Sequence, residues 1–160
     1  MRSIIIPEQH PMLTYTSRVM PAPFAIVMVK HVFSQRTLPP LLAILDTGAD
    51  WSTLAPWIRQ SARECLCATC DRFECHHLSG LEAAEGCDRM SFSFDGGAHW
   101  YRPAGLVECA SNDNERWRGL TEGEAEDLIV GRDVLHRLEF SCLGPAKQFT
   151  LIDPTLGSNE

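Results

Sequence analysis

Asp46 is the residue whose neighbours best suit it to chemistry. It follows directly on the apolar run Leu41-Leu42-Ala43-Ile44-Leu45 and precedes Thr47-Gly48-Ala49-Asp50. Such a run buries its flanks and delivers a carboxylate at its exit, where proton transfer becomes available. Thr47 offers a hydroxyl able to brace a neighbouring chain. Gly48 lets the backbone turn sharply and lets a second backbone approach. As a bare tripeptide, Asp-Thr-Gly also serves as an ordinary turn. A second element weighs against that plain reading. Leu128-Ile129-Val130 is another apolar run, followed by Gly131-Arg132-Asp133 and then by Val134 and Leu135.

Other enzymes that place an aspartate after an apolar strand fit less well. Actin-like ATPases need a longer chain and a second nucleotide motif. Haloacid-dehalogenase phosphatases need an Asp-x-Asp pair, which is absent. Asp46-Thr47-Gly48-Ala49-Asp50-x-Ser52-x-Leu54, taken together with Leu128–Leu135, resembles the retropepsin-like aspartic proteases over roughly residues 24–152. The resemblance implies an all-β fold: a small closed barrel or sandwich of the retropepsin-like acid protease type, with one short C-terminal helix. It implies Asp46, Thr47 and Gly48 as the catalytic motif, and Asp50 paired with Arg132 as support for the cleft. A planar guanidinium suits a bidentate carboxylate contact.

The implied chemistry is hydrolysis of a polypeptide, and it needs two carboxylates. One, ionised, takes a proton from water; the other, protonated, hydrogen-bonds the scissile carbonyl. Two carboxylates about 3 Å apart share one proton because both cannot ionise. The chain has no second Asp-Ser/Thr-Gly. Asp46 must therefore meet Asp46 of another copy across a two-fold axis, which makes a homodimer the expected form. The family covers its cleft with a glycine-containing hairpin flap, and His77–Gly86 is the candidate. Ser79, Gly80 and Leu81 then join Gly48 and Asp50 in touching substrate. Glu82 and Glu85 depart from the usual apolar tip, which hints at a preference for basic peptides. A solvated loop is the plain alternative for that stretch. The alternative for the whole chain is an inactive dimerisation or peptide-binding module on the same scaffold.

Five of the seven cysteines lie between Cys65 and Cys87. Cys67-x-x-Cys70 is half a zinc knuckle, and Cys75, His76, His77 or Cys87 would complete a tetrahedral site. The spacing matches no standard finger, so a structural zinc, unliganded thiols and local disulfides all stay open. No cofactor is expected for catalysis. Cys109 and Cys142 read as buried strand-end residues.

These groups need elements to position them. Phe24–Phe33 is β-branched and apolar, hence a strand. Leu41–Leu45 is too short for a helix and reads as a buried strand. Ser52–Leu54 is expected as a strand and Pro56–Arg63 as a helical turn. Residues 64–75 read as irregular, within a cysteine-rich insertion at about 64–77. Met90, Phe92 and Phe94 alternate with Ser91 and Ser93, and Asp95-Gly96 signals a hairpin turn, with Ala98–Val107 as the returning strand. Residues 111–127 read as an acidic loop with a short helix. Leu128–Val130 is a strand, Arg132–Leu138 a helix and Phe149–Ile152 a last strand. Residues 1–23 form a proline-rich arm with a short strand at Ser3–Ile6. In the family the terminal strands often build the dimer interface, so Met1–Ile6 and Phe149–Ile152 are candidates for it.

Composition sets the outer bounds. The chain has 160 residues, which suits a single domain. Hydrophobic residues make up 44% and charged residues 22%, an ordinary globular balance. Fourteen basic against 21 acidic residues give a net charge of −7. No Lys/Arg cluster appears, which argues against a nucleic-acid partner. The apolar run Phe24–Val29 is too short to span a bilayer, and the start lacks the apolar core of a signal peptide. A soluble, cytoplasmic protein with no membrane partner is expected.

Overall fold

The computed structural model describes residues 2–7, 23–58, 71–77, 80–87, 89–143 and 148–155. Its strands follow the apolar patterning. In β2 (Phe24–His31) Ala25, Val27, Val29 and His31 are buried, while Ile26 is exposed. That is the period-2 alternation of a strand with one face on a core. β1 is Arg2–Pro7, β3 Leu41–Leu45 and β4 Thr53–Leu54. A hairpin of β5 (Asp71–His77) and β6 (Gly80–Cys87) follows, then β7 (Met90–Ser93), β8 (Val107–Cys109) and β9 (Leu128–Val130). The helix α1 (Arg132–Leu135), β10 (Glu139–Leu143) and β11 (Gln148–Asp153) complete the order. A helical turn covers 56–58.

Eight strands form one barrel-like, nearly closed sheet in the order β5-β6-β8-β4-β9-β3-β2-β7. Its concave side holds Val27, Val29, Leu45, Leu54, Phe92, Val107, Leu128 and Val130, all buried in one cluster with Trp117. A separate sheet runs β1-β11-β10. No helix among the described residues is long and apolar enough to cross a membrane.

Several expectations need correction. Residues 71–75 are strand, not irregular: their backbone pairs with β6 from Asp71↔Gly86 to His77↔Gly80. Residues 98–107 do not return as a strand beside β7. β7 pairs with β2 instead, and among the described residues Phe92↔Tyr101 is the single bridge between the two stretches. Here the turn's side chains take up backbone donors that a ladder would use. Asp95 Oδ1 accepts from Ser93 Oγ at 2.8 Å and from the His99 N–H at 3.0 Å. Pro103 has no N–H to contribute to a ladder. Residues 111–127 form turns with no α-helix, and α1 stops at Leu135, three residues short of the expected end. β10 had no counterpart in the expected elements. It exists because β11 offers it a full antiparallel register, Glu139↔Ile152 to Leu143↔Gln148.

The terminal strands pair within the chain. β1 pairs with β11 from Arg2↔Asp153 to Pro7↔Gln148, and β10 takes β11's other edge. Phe149–Ile152, a candidate for the dimer interface, thus has both hydrogen-bonding edges occupied by its own chain.

Candidate active site

β9 is parallel to β3 on one side and antiparallel to β4 on the other. The chain leaves β3, turns through residues 46–52, and comes back along β9's far edge. Asp46 sits just past β3, where its N–H donates to Val130 O at 2.9 Å. The Ala49 N–H donates back to Asp46 O at 3.2 Å and closes the turn. The Gly48 N–H donates to Asp46 Oδ1 at 2.8 Å, a charge-assisted bond that orients the carboxylate. A Cβ at position 48 would lie 3.1 Å from that oxygen, so a side chain there would press on it. Asp46 is half-buried, whereas Thr47 and Gly48 are exposed. The carboxylate is therefore held at an open surface.

The second motif grips this turn through the backbone. The Arg132 N–H donates to Ala49 O at 2.8 Å, and the Asp133 N–H to Asp50 O at 3.2 Å. Arg132 Nη2 also donates to Asp50 Oδ1, so the two expected partners meet. The contact is single, not bidentate, and both side chains are more than half exposed. Such a pair contributes at most about 1 kcal/mol. The backbone bonds beside it do more to hold the loops in register.

Two residues inside the motifs carry a role that sequence reasoning missed. Ser52 and Asp133 are both buried. Ser52 Oγ donates to Asp133 Oδ1 at 2.7 Å, the Ser52 N–H donates to Asp133 Oδ2 at 3.0 Å, and the Gly131 N–H donates to Ser52 Oγ at 3.0 Å. One hydroxyl thus joins both motifs. Burial pushes the Asp133 carboxyl above its ordinary value of 3.8, against the opposing pull of the Ser52 hydrogen bonds. The folded chain therefore holds this proton more tightly than the unfolded chain. The group's contribution to stability is greatest below 3.8 and declines as pH rises through the raised value. Ser52→Ala leaves the buried Gly131 N–H without its acceptor and Asp133 without one donor. It should cost about 2 kcal/mol in denaturant unfolding. The loss should grow as pH rises through the raised Asp133 value, because the ionised carboxylate needs the hydroxyl more. A loss under about 0.5 kcal/mol would contradict this role.

Trp51 is a further residue the motifs did not single out. It is 49% exposed. It lies against Gly105, where a Cβ would come within 2.7 Å of the ring.

Ser79 lies outside the described residues, as do Cys67 and Cys70. Gly80 and Leu81 open β6, opposite His77 and His76. Only Glu85, Gly86 and Cys87 of β6 pair with β8, so the rest of the β5–β6 hairpin continues past the sheet as a two-stranded ribbon. Of the expected flap His77–Gly86, His77 and Gly80–Ala84 lie on this ribbon, Glu85 and Gly86 pair with β8, and residues 78–79 lie outside the described residues. Of the residues named for a metal, Cys75, His76 and Cys87 lie on the β5–β6 hairpin. Cys75 is opposite Glu82, five strand positions or about 17 Å from Cys87. Cys87 itself is buried in the core, and Cys109 is too. Among the described residues no three His, Cys, Asp or Glu could hold a metal ion.

No family model and no curated protein matches the sequence. Among solved structures, the chain is similar to a retropepsin-like aspartic protease from Rickettsia conorii. The match covers 94% of this chain and 99% of that one, with a TM-score of 0.54 and 12% identity. At that identity the likeness is one of architecture, and on that ground the chain has the retropepsin-like aspartic protease fold.

Proposed function

We propose that the protein is an aspartic endopeptidase acting as a homodimer, with Asp46 of each copy supplying half of the catalytic pair. One observation carries this reading. Asp46 is presented at the surface by β3 and aimed by the Gly48 N–H, while its acidic neighbours Asp50 and Asp133 are engaged by Arg132 and Ser52. A second copy is then the natural source of a partner carboxylate.

In the proposed mechanism the ionised member of the pair takes a proton from water. The resulting hydroxide oxygen attacks the scissile carbonyl carbon, and the protonated member hydrogen-bonds the carbonyl oxygen. Collapse of the tetrahedral species breaks the C–N bond as the nitrogen is protonated. The pair titrates as a unit. Thr47 braces the two loops across the axis, and Gly48 admits the peptide backbone. The β5–β6 ribbon, which Gly80 and Leu81 open on the β6 side, covers the bound peptide, and Ser79 joins them in touching it.

The test combines assembly and turnover. At micromolar concentration, light scattering should give a mass of about 36 kDa, twice the 17.9 kDa chain. The same sample should cleave a peptide library at mildly acidic pH, and pepstatin should stop it. Full specific activity from a strict monomer would overturn the two-copy pair. A dimer that binds peptides without cutting them would favour the inactive-module alternative.

A further inference from the structure

At the end of β3 remote from Asp46, the chain surrounds a cavity of about 300 Å³. Leu42, at that end, donates its N–H to Asp127 Oδ2 at 3.0 Å. It stands about 13 Å along the strand from Asp46. Trp57 Nε1 donates to Asp127 Oδ1 at 2.8 Å, and Trp117 Nε1 donates to Glu126 O at 2.9 Å. The two rings meet edge to face, with centroids 6.4 Å apart and planes at 82°. Trp117 is buried and backs Trp57, which is half-buried. Both line the cavity, together with Asn112, Leu120, Thr121 and Glu122. Those four are exposed, so the cavity is open to solvent along its rim.

Each indole has committed its N–H donor to residues 126–127, and what it leaves for a ligand is π surface. Such surface attracts cations. Glu122 supplies the charge. It is exposed and has no ion-pair or side-chain hydrogen-bond partner among the described residues. The neighbouring charges are engaged elsewhere. Thr121 donates its N–H and its hydroxyl to Glu124 Oε2 at 2.7 and 2.9 Å. Arg116 Nε donates to Glu126 Oε1, and Arg118 Nη2 donates to Asp113 O. Leu120 is 41% exposed and offers an apolar rest for a side-chain stem. The side-chain oxygens of Asn112, Thr121 and Glu122 can accept hydrogen bonds. This combination fits arginine, whose planar cation stacks on rings and gives a carboxylate two donors. A lysine ammonium is more strongly hydrated and offers no plane to stack. The volume is at the small end for ligand pockets. It has room for one side chain, with the backbone that carries it left outside.

We infer that this cavity binds the arginine side chain of a polypeptide partner, at a place separate from the Asp46 turn. The net charge of −7 favours the approach of a basic segment. The inference does not depend on Asp46 being catalytic. If Asp46 is catalytic, the cavity tethers a substrate at a point away from the scissile bond.

The probes are an acetylated, amidated Gly-Arg-Gly peptide and its citrulline and lysine counterparts, titrated into the full chain. Citrulline keeps the shape of arginine and loses the charge. Indole N–H signals in a proton–nitrogen NMR spectrum report the four tryptophans separately. Trp51→Phe and Trp100→Phe identify two of them and leave the Trp57 and Trp117 pair. Arginine should shift that pair with a dissociation constant of about 1 mM. Citrulline should bind at least about fivefold more weakly, and lysine about threefold more weakly. Glu122→Lys, at an exposed position, should keep the spectrum of the folded chain and weaken arginine binding at least about fivefold. Trp51 lies in the Asp46 turn, so its signal is the control for binding at the candidate active site. Shifts confined to Trp51 or Trp100 overturn the inference and leave the peptidase reading intact. Equal binding of citrulline or lysine overturns it, as does undiminished binding to Glu122→Lys. Absence of any shift up to about 20 mM peptide overturns it as well.

Discussion

Asp46→Asn should lower peptide cleavage by at least about three orders of magnitude, with the fold and the dimer retained. The amide keeps the size of the carboxylate, and its oxygen can still accept from the Gly48 N–H, as Asp46 Oδ1 does at 2.8 Å. It cannot take up a proton from water. Two amides facing each other across the axis carry no charge, so the like-charge repulsion of a carboxylate pair disappears and assembly should not weaken. Mixing sharpens the test. When wild-type and Asp46→Asn chains are exchanged to equilibrium in equal amounts, about one dimer in four holds two wild-type copies. Activity per total protein should then fall to about a quarter of the pure wild-type value, not to a half. A half would mean that each chain acts alone. Retained turnover in a purified Asp46→Asn sample would remove Asp46 from the chemistry altogether.

Gly131→Ala should have the largest effect on stability. A Cβ at position 131 would fall 2.7 Å from both the carbonyl carbon and the oxygen of Trp51, and 3.0 Å from Ala49 O. All three are backbone atoms, so no rotamer change relieves the clash. The loops must separate, and this strains the bonds from the Gly131 N–H to Ser52 Oγ and from the Arg132 N–H to Ala49 O. Overpacking of this kind costs about 3 kcal/mol. For a domain of this size the melting temperature should fall by about 10 °C in a thermal scan. The loss arises from contact and not from conformation, since Gly131 has φ −94°, which alanine adopts freely. A drop of under about 2 °C would mean that the two motifs are less tightly packed than this geometry requires.

How much of this was legible beforehand depended on whether the signal was local. Leu41–Leu45 and Leu128–Val130 declare themselves by apolar runs that stop at polar turns, and both are strands. The all-β class follows from many such short runs. β10 was not legible because Glu139-Phe140-Ser141-Cys142-Leu143 becomes a strand through its pairing with β11, and a single sequence carries no record of that partner. The stretch Ala98–Val107 follows a hairpin signal yet forms no ladder with β7, because the Asp95 carboxylate engages the Ser93 hydroxyl and the His99 N–H instead. In the candidate site, Asp46 and the Asp50–Arg132 contact were legible through the resemblance. Ser52 and Asp133 were not. Their meaning lies in which loop meets which helix start across 81 residues of chain, and that meeting exists only in the folded molecule.

The wedging of β9 between β3 and β4 also has a kinetic consequence. β3 and β9 are joined across about 85 residues of chain, from Ala43↔Leu128 to Leu45↔Val130. Non-local parallel pairing of this kind is among the slow events of folding. On a ribosome, Asp46 emerges long before the strand that must lie beside it. Until residues 128–133 have been made, the aspartate has neither Val130 O to anchor its backbone nor Ser52's link to Asp133 to lock its loop. A chain terminated before residue 128 therefore lacks the partners that fix the Asp46 turn, whatever its other residues have formed.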